Sequence, residues 1–343
     1  MLADLLYELV QIPGPSGHEE RVAARFKAEL EPYVDEVWRD GAGNVIGKKA
    51  GRRSDKSLML AAHLDEVSLA VSRVAEVVFF EVVGWIDRRA LPGTPVLILG
   101  QTEDIPGVIC SPSAHLTEAG DQVNLWIDVG SRTAAVGIGD PVVFATPPRW
   151  LSPDKTILAS HAIDDRVGLA ALLDVARRFT EQPEYDLYFV ATVQEEVGGY
   201  GAVYAARELR PTWVIALDTS FARDPNTPHN PTLGSGPVVR RFEMSQPKSP
   251  LYPASILFSS RVIGDALVTS AREQGLPVNE DVNCRTFTDT ARIFTSFPDI
   301  SCCPLLIPRR YSHSPCEVVD LRDVEAAARI IVGALPRIFA STS

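Results

Sequence analysis

Residues 57–63 read Ser-Leu-Met-Leu-Ala-Ala-His, a nearly continuous apolar run that ends in a histidine. A strand covered on both faces, as in a parallel sheet between helices, has this composition. Two later runs share it, Leu187–Val193 (LYFVATV) and Trp213–Leu217 (WVIAL). Gly201–Leu209 lies between them and is predicted to be a crossover helix. Alternation of strand and helix predicts an α/β sheet.

Helical periodicity appears on both sides of these runs. In Asp165–Phe179, apolar side chains recur at i, i+3, i+4 and i+7, which is typical of an amphipathic helix. Similar patterns predict helices over residues 2–10, 18–31 and 320–340. We therefore expect an α/β fold in which a mostly parallel sheet is sandwiched by helices.

Residues 68–154 differ in composition from the rest of the chain. They are rich in Val, Ile, Gly and Pro, with short apolar runs and frequent turn signals. This pattern predicts a small all-β, barrel-like domain inserted into the α/β domain. The catalytic domain would then consist of residues 1–67 and 155–343. Two further segments, 221–250 and 309–317, are predicted to be loops.

Charge and cysteine content narrow the function classes. The chain has 343 residues and a formal net charge of -11, which argues against nucleic acid or an anionic membrane surface as a partner. No stretch of about 18 residues is free of charge, so we expect no membrane span. Five cysteines without a CxxC pair favour a reducing compartment, and hence a cytoplasmic location.

Side chains that bind metals follow the predicted core strands, where ligands bind in open α/β sheets. The candidates in chain order are His63 with Asp65, Asp164 with Asp165 after His161, Glu195 with Glu196, Asp218, and His313. Each has an ordinary structural alternative: a buried structural histidine, a helix N-cap, a solvated acidic turn, a loop-starting aspartate or a surface histidine. Together, however, two histidines and three or more carboxylates suit a pair of divalent borderline ions.

The motifs in order resemble the tetrahedral-aminopeptidase and deblocking-aminopeptidase family, the M42 metallo-aminopeptidases of the di-zinc exopeptidase group. The motifs are Gly14-Pro15-Ser16-Gly17 with Glu19, Gly43-Asn44-Val45, AHLDE (62–66), PGVICSPSAH (106–115), IDVG (127–130), VGIGDPVVF (136–144), AIDDRVG (162–168), QEEVG (194–198), ALDTS (216–220), and RYSHSP (310–315) followed by Glu317-Val318-Val319-Asp320. The resemblance spans nearly the whole chain.

The resemblance implies an aminopeptidase that acts on peptides with two divalent ions, zinc or cobalt. His63 and Asp218 would bind one ion, Glu196 and His313 the other, and Asp164 would bridge both. Further implied roles are catalytic for Glu195 (general base) and Asp65 (orienting His63), and substrate-binding for Arg310, Tyr311 and Asp289. Members of this family often form hollow dodecamers built from dimers, so the resemblance also implies self-association through residues 68–154.

One departure concerns the substrate pocket. The family usually has Gly-Gly-Thr-Asp where this chain has Thr286-Phe287-Thr288-Asp289. Glycine permits close backbone approach, whereas phenylalanine fills space. If this loop lines the pocket, the preferred substrate side chain or the usual activity is altered.

Three alternatives stay open at this point. The same site could serve another metal-dependent amidohydrolase, such as a deacylase. The chain could be an inactive relative that acts as a binding or assembly module. A glycosidase built on Glu195 and Glu196 is disfavoured, because adjacent residues on a tight turn seldom project across one sugar bond.

Overall fold

The computed structural model describes residues 2–341, apart from residues 114, 116–123 and 246–253. The helices are α1 (Leu2–Leu9), α2 (Glu20–Leu30), α3 (Ile163–Arg178), α4 (Tyr200–Leu209), α5 (Arg261–Glu273), α6 (Asp289–Ser296) and α7 (Leu321–Ala340). The strands are β1 (Glu36–Arg39), β2 (Val45–Lys49), β3 (Arg53–His63), β4 (Ser68–Val74), β5 (Val78–Val83), β6 (Pro95–Leu99), β7 (Asp104–Cys110), β8 (Trp126–Asp128), β9 (Pro141–Phe144), β10 (Arg149–Trp150), β11 (Ile157–Ser160), β12 (Tyr185–Thr192), β13 (Trp213–Phe221), β14 (Val238–Ser245), β15 (Ser255–Phe258), β16 (Asn279–Asn283), β17 (Ser301–Arg310) and β18 (Glu317–Asp320).

A large mixed sheet forms the centre of the molecule, with the strand order β1-β2-β12-β3-β13-β17-β18-β11-β10. Strands β12, β3, β13 and β17 are mutually parallel, and the strands outside them on this path pair antiparallel. Strand β14 pairs with β15, β16 and β17 beside this path. The expected α/β class is correct, but the sheet is mixed rather than mostly parallel. Along this path the parallel part is the central four strands, which are those with nearly continuous apolar sequence, and beside the path β14 and β16 also pair in parallel.

Alternation along β3 explains why this run is apolar at every position. Leu58 and Leu60 belong to the core cluster formed with α1, α2, α3, α5 and α7. Met59 and Ala61 belong to a second cluster, which contains residues of α4 and α6. Since successive side chains of a strand point to opposite faces, helices cover both sides of the sheet.

The second structural unit is a closed barrel of six strands in the order β4-β5-β8-β7-β6-β9. Its core is made of side chains from within the barrel, including Leu69, Ile98 and Ile127. The barrel strands end at Phe144, and β10 pairs with β11 of the large sheet although it lies within the range predicted for the insert.

Two segments predicted to be loops contain strands. Strand β14 falls within residues 221–250, and β17 continues into the segment 309–317 as far as Arg310. Strand β14 reads VVRRFEMS, and its three charged residues led to the prediction of a loop, although some of their partners are distant in sequence. Arg240, for example, is buried and forms two hydrogen bonds to Asp281 on β16.

Some predicted features lie partly outside the described residues, namely Ala114 of the motif PGVICSPSAH and residues 246–250 of a predicted loop. Across the residues that the structure does describe, no helix combines the length and apolar character needed to cross a membrane.

Candidate active site

The candidate ligands lie at the carboxyl ends of the parallel strands. His63 is the last residue of β3, and Asp218 lies in the last half of β13. Glu196 follows β12, and His313 follows β17. Asp164 reaches the same edge from the first turn of α3. Parallel strands bring their carboxyl ends together, which gathers residues that are up to 250 positions apart in sequence.

The first group consists of His63, Asp164 and Asp218, all of which are buried. One nitrogen or oxygen from each residue lies within 4.8 Å of the others. His63 Nε2 is 3.2 Å from Asp164 Oδ1. Its Nδ1 is 3.1 Å from the main-chain oxygen of Asp65. Since a carbonyl oxygen only accepts, Nδ1 carries a hydrogen, and Nε2 is the nitrogen that faces the group.

The second group consists of Asp164, Glu196 and His313, again with ligand atoms within 4.8 Å of one another. His313 Nε2 is 3.3 Å from Asp164 Oδ2 and 3.4 Å from Glu196 Oε2. Its Nδ1 is 2.8 Å from the main-chain oxygen of Trp85, in the segment between β5 and β6 of the barrel. The same tautomer argument therefore applies, and a barrel residue orients this imidazole.

Asp164 belongs to both groups and offers one carboxylate oxygen to each. Oδ1 faces His63 and Oδ2 faces His313. Glu196 Oε1 is buried and has no hydrogen-bond partner among the residues that the structure describes, which is costly unless a cation or another ligand meets it. Imidazole nitrogens and carboxylate oxygens are the donors that zinc-class ions take, so these residues fit two divalent ions.

Asp165, next to Asp164, has a structural role. Its Oδ1 accepts a hydrogen bond of 2.9 Å from the main-chain N–H of Gly168. This is the bond of a helix N-cap, and the regular part of α3 follows it. The peptide bond between Asp164 and Asp165 is cis. His161, at the start of the same motif, is buried with Nδ1 3.1 Å from the main-chain oxygen of Thr146, and it belongs to neither ligand group.

Asp65 is fully buried and anchors the turn that carries the two glutamates. Its Oδ1 accepts a hydrogen bond from the main-chain N–H of Glu195 at 2.9 Å. Its Oδ2 accepts from the main-chain N–H of Glu196 at 3.1 Å and from the hydroxyl of Ser16 at 2.7 Å. The distance from Asp65 Oδ1 to His63 Nδ1 is 3.4 Å, so this carboxylate touches both the first ligand and the predicted base.

Burial strongly raises the pKa values of three acidic side chains in the site. It raises the pKa of Glu195 well above its ordinary value, with added repulsion from Asp218 and Glu196 against the opposing effect of His63. Burial also raises the pKa of Glu196 to about 7 and that of Asp218 to about 8. A metal-free site thus holds protons near neutral pH, where divalent ions would otherwise balance the charge.

The pKa of Asp164 is shifted in the opposite direction, below its ordinary value. Burial would raise its pKa, but the guanidinium of Arg309 together with His313 and His63 holds that pKa well below the ordinary value. Asp164 is therefore ionised at neutral pH, as the carboxylate shared by both groups should be.

A cavity of about 450 Å³ opens onto these groups. The residues that line it include the site carboxylates Asp164, Glu195, Glu196 and Asp218, the barrel residues Trp85 and Asp87, the loop residues Arg285, Thr286, Phe287 and Thr288, and Arg240, Arg309, Ser312 and His313. The loop that departs from the usual Gly-Gly pattern therefore does line the cavity. Phe287 occupies space there that glycine would leave open.

The three residues predicted to bind substrate are not among those that line the cavity. The Nε atom of Arg310 donates to the main-chain oxygen of Arg223, and Tyr311 is 55% exposed. Asp289 is buried, and its Oδ2 accepts from the hydroxyl of Thr192 at 2.6 Å. Residues adjacent to them in sequence line the cavity instead, namely Thr288, Arg309 and Ser312.

Residues 43–330 match the sequence profile of the M42 glutamyl aminopeptidase family. The chain belongs to the M42 family. This confirms the family that the ordered motifs predicted, and an aminopeptidase is favoured over the deacylase and the inactive relative.

Individual relatives match the chain over almost the full length. A lysyl aminopeptidase of Pyrococcus furiosus is 30% identical, covering 95% of this chain and 94% of the relative. The solved aminopeptidase APDkam598 from Desulfurococcus kamchatkensis is 29% identical with a TM-score of 0.89, covering 97% and 94%. The TET1 peptidase of Pyrococcus horikoshii, whose structure is described as assembling into a tetrahedron or a large octahedral shell, is 27% identical with a TM-score of 0.84, covering 98% and 99%.

Two features of this M42 site were not predicted from the sequence. Arg309 lies beside the quoted RYSHSP motif, but an arginine in a predicted loop gave no sign that it would be buried against Asp164. The role of Trp85 could not be predicted from its side chain, because it contacts His313 through its main-chain oxygen, which every residue possesses.

Proposed function

We propose that this M42 family member removes N-terminal residues from peptides by using two divalent ions, zinc or cobalt. The observation that carries the proposal is the placement of Asp164, which offers one oxygen to each of two ligand groups. A single shared carboxylate between two such groups is the arrangement that a two-ion hydrolytic site requires.

The ligand roles follow the two groups. His63 and Asp218 would hold one ion, Glu196 and His313 the other, and Asp164 would bridge them. When bound, the ions would polarise the scissile carbonyl and lower the pKa of a water between them towards about 7. The fixed tautomers of both histidines support this assignment, because each presents Nε2 to its group.

Glu195 is proposed as the general base. It lines the cavity beside both ligand groups, and burial raises its pKa, which suits a group that must hold a proton between two steps. Glu195 would accept a proton from the attacking water and donate it to the departing amine. Asp65 would support this by fixing the main chain of Glu195 and contacting His63.

Substrate selection is proposed to lie with the cavity rather than with Arg310, Tyr311 and Asp289. Phe287 and Thr286 line the space next to the acids, so their size would restrict the side chain of the N-terminal residue. Asp289 would act indirectly, since it lies behind the cavity wall, bonded to Thr192.

Self-association is proposed to use the barrel. The barrel segment exposes apolar side chains, with Ile138 74% and Val108 42% accessible. The P. horikoshii relative assembles into large shells, which supports an assembly of this chain as well. Light scattering should show a mass well above that of one 37.4 kDa chain. Ile138→Asp should lower that mass, whereas Val282→Asp, which alters an exposed residue of β16 outside the barrel, should not.

A cytoplasmic location is also proposed. All five cysteines are free, and Cys302 and Cys303 are buried in the core. Thiols that persist without pairing favour a reducing compartment. Fractionation of the native host, with detection of the chain in the soluble and secreted fractions, would test this.

The experiment that tests the catalytic proposal is a chelation and reconstitution assay on a panel of aminoacyl and peptide substrates. Chelator should abolish hydrolysis, and Zn²⁺ or Co²⁺ should restore it. Glu195→Gln should keep its bound metal and lose at least about 100-fold in turnover. Glu208→Gln, on the exposed face of α4, is the matched control and should behave like the parent.

Each contrary result points to a different conclusion. Hydrolysis of N-acyl amino acids without hydrolysis of peptides would favour the deacylase. Absence of bound ion after saturation would favour an inactive relative. A Glu195→Gln variant that turns over at the parent rate would remove Glu195 from the role of base.

A further inference from the structure

Arg309 places a fixed positive charge inside the second ligand group. It is the penultimate residue of β17, only 4% exposed, and it lines the cavity. Its Nη2 contacts Asp164 Oδ2, which is the same oxygen that lies 3.3 Å from His313 Nε2. The other oxygen, Asp164 Oδ1, faces His63 in the first group. The guanidinium therefore contacts the Asp164 oxygen that faces the second group and does not contact the oxygen that faces the first group.

Glu317 forms an ion pair with the guanidinium of Arg309. Glu317 Oε1 is 3.4 Å from Arg309 Nε and accepts from the main-chain N–H of His313 at 2.8 Å. Its Oε2 accepts from the main-chain N–H of Asp164 at 3.0 Å. Glu317 thus links Arg309 to the backbone of two ligands, and it is itself buried.

The main chain of Arg309 is also fixed. Strand pairing sets it opposite Phe221 on β13 and Val319 on β18. Its carbonyl oxygen accepts from the main-chain N–H of Ala222 at 2.8 Å. Movement of the guanidinium away from Asp164 would have to come from the side chain alone, at the cost of its contact with Glu317.

We propose that Arg309 makes the two ion positions unequal, so that the position at His63 and Asp218 fills first and the position at Glu196 and His313 fills more weakly. The inference rests on the two-ion centre proposed above. A second cation must share Asp164 Oδ2 with a guanidinium that already occupies it. Like charges in a buried, low-dielectric site repel strongly, whereas the first position uses an oxygen that the guanidinium does not contact.

The test is a titration of the metal-free full-length protein with Co²⁺ alone, followed by calorimetry and by the visible absorption of bound cobalt. The parent should bind two equivalents in separate steps, the second at least about tenfold weaker. His313→Ala should remove the weak step, and Asp218→Asn should weaken the tight one. These two variants assign each step to its position.

Variants at Arg309 test whether its guanidinium causes the difference in affinity between the two steps. Arg309→Met should tighten the second step by about tenfold or more and the first step by a smaller factor, because the guanidinium does not contact the oxygen of the first position. Arg309→Lys keeps the charge and should keep the weak step. Arg310→Met is the matched control, because its side chain binds the main chain of Arg223 away from the cavity, and it should match the parent.

Two steps of equal affinity in the parent overturn the inference even if Arg309→Met does not fold, and they leave the two-ion proposal intact. An unchanged second step in a folded Arg309→Met variant also overturns it. Failure of the parent to bind any Co²⁺ overturns both the inference and the two-ion proposal.

Discussion

Asp65 Oδ1 accepts a hydrogen bond of 2.9 Å from the main-chain N–H of Glu195. These residues are 130 positions apart, at the ends of the adjacent parallel strands β3 and β12. The bond couples the histidine-bearing strand to the turn that carries the proposed base. The position of Glu195 is therefore set by a carboxylate that does not line the cavity.

Asp65→Asn should reduce turnover by about 10- to 100-fold and weaken metal affinity, while the fold is kept. The aspartate carboxylate accepts from three donors, namely the N–H groups of Glu195 and Glu196 and the hydroxyl of Ser16. An amide would turn an N–H group towards one of these donors. The measurement is kcat together with the metal content after dialysis. Ser16→Ala removes only one donor and should have a smaller effect, and equal effects of the two variants would contradict this account.

The metal-free protein should lose stability as the pH rises from about 6 to 9. Burial raises the pKa of Asp289 to about 6, of Glu196 to about 7 and of Asp218 to about 8. The folded state therefore binds more protons than the unfolded state in this range, and each group's contribution disappears as the pH passes its folded pKa. His313 also contributes stability that is lost as the pH rises. Burial lowers its pKa, but its carboxylate neighbours outweigh burial and raise that pKa to about 9.

Thermal unfolding in chelator at a series of pH values measures this effect. Saturating Zn²⁺ should flatten the decline, because bound ions replace the protons. A metal-free protein whose midpoint rises between pH 6 and 9 would show that other groups dominate the pH dependence.

Phe287→Gly should shift substrate preference towards larger N-terminal side chains. Phe287 is half-buried and lines the cavity, so its removal adds room beside the acids. The ratio of kcat/KM for a large over a small N-terminal residue should rise by about tenfold. Phe258→Ala removes an exposed aromatic ring that does not line the cavity and should leave the ratio unchanged. An unaltered ratio in Phe287→Gly would place the specificity elsewhere.

Arg166→Met should destabilise the metal-free protein by about 3–5 kcal/mol. The guanidinium is fully buried and binds Glu66 Oε1 at 3.2 Å and the main-chain oxygens of Leu9, Ile12 and Leu64. Methionine removes the cation that pairs with the buried Glu66 and the donors to these three main-chain oxygens. Urea denaturation gives the free energy of unfolding. Arg207→Met, on an exposed position of α4, should change it by less than about 0.5 kcal/mol.

The sequence alone was sufficient for the parts of the protein that local patterns encode. The apolar runs at β3, β12 and β13 and the periodicity of α3 and α7 predicted the α/β class, because the burial of both sheet faces is visible in each segment separately. The ordered motifs predicted the family. The acids and histidines after those strands were identified as candidates because the carboxyl ends of parallel strands meet at one edge.

Only the tertiary structure decided which side chains share one environment. The mixed sheet depends on pairings such as β14 with β16, where Arg240 is neutralised by a residue 41 positions away. The contact of Arg309 with Asp164 and that of His313 with the main chain of Trp85 join residues 145 and 228 positions apart. Such contacts leave no periodic trace in the sequence, because burial and charge at a site depend on segments that meet only after folding.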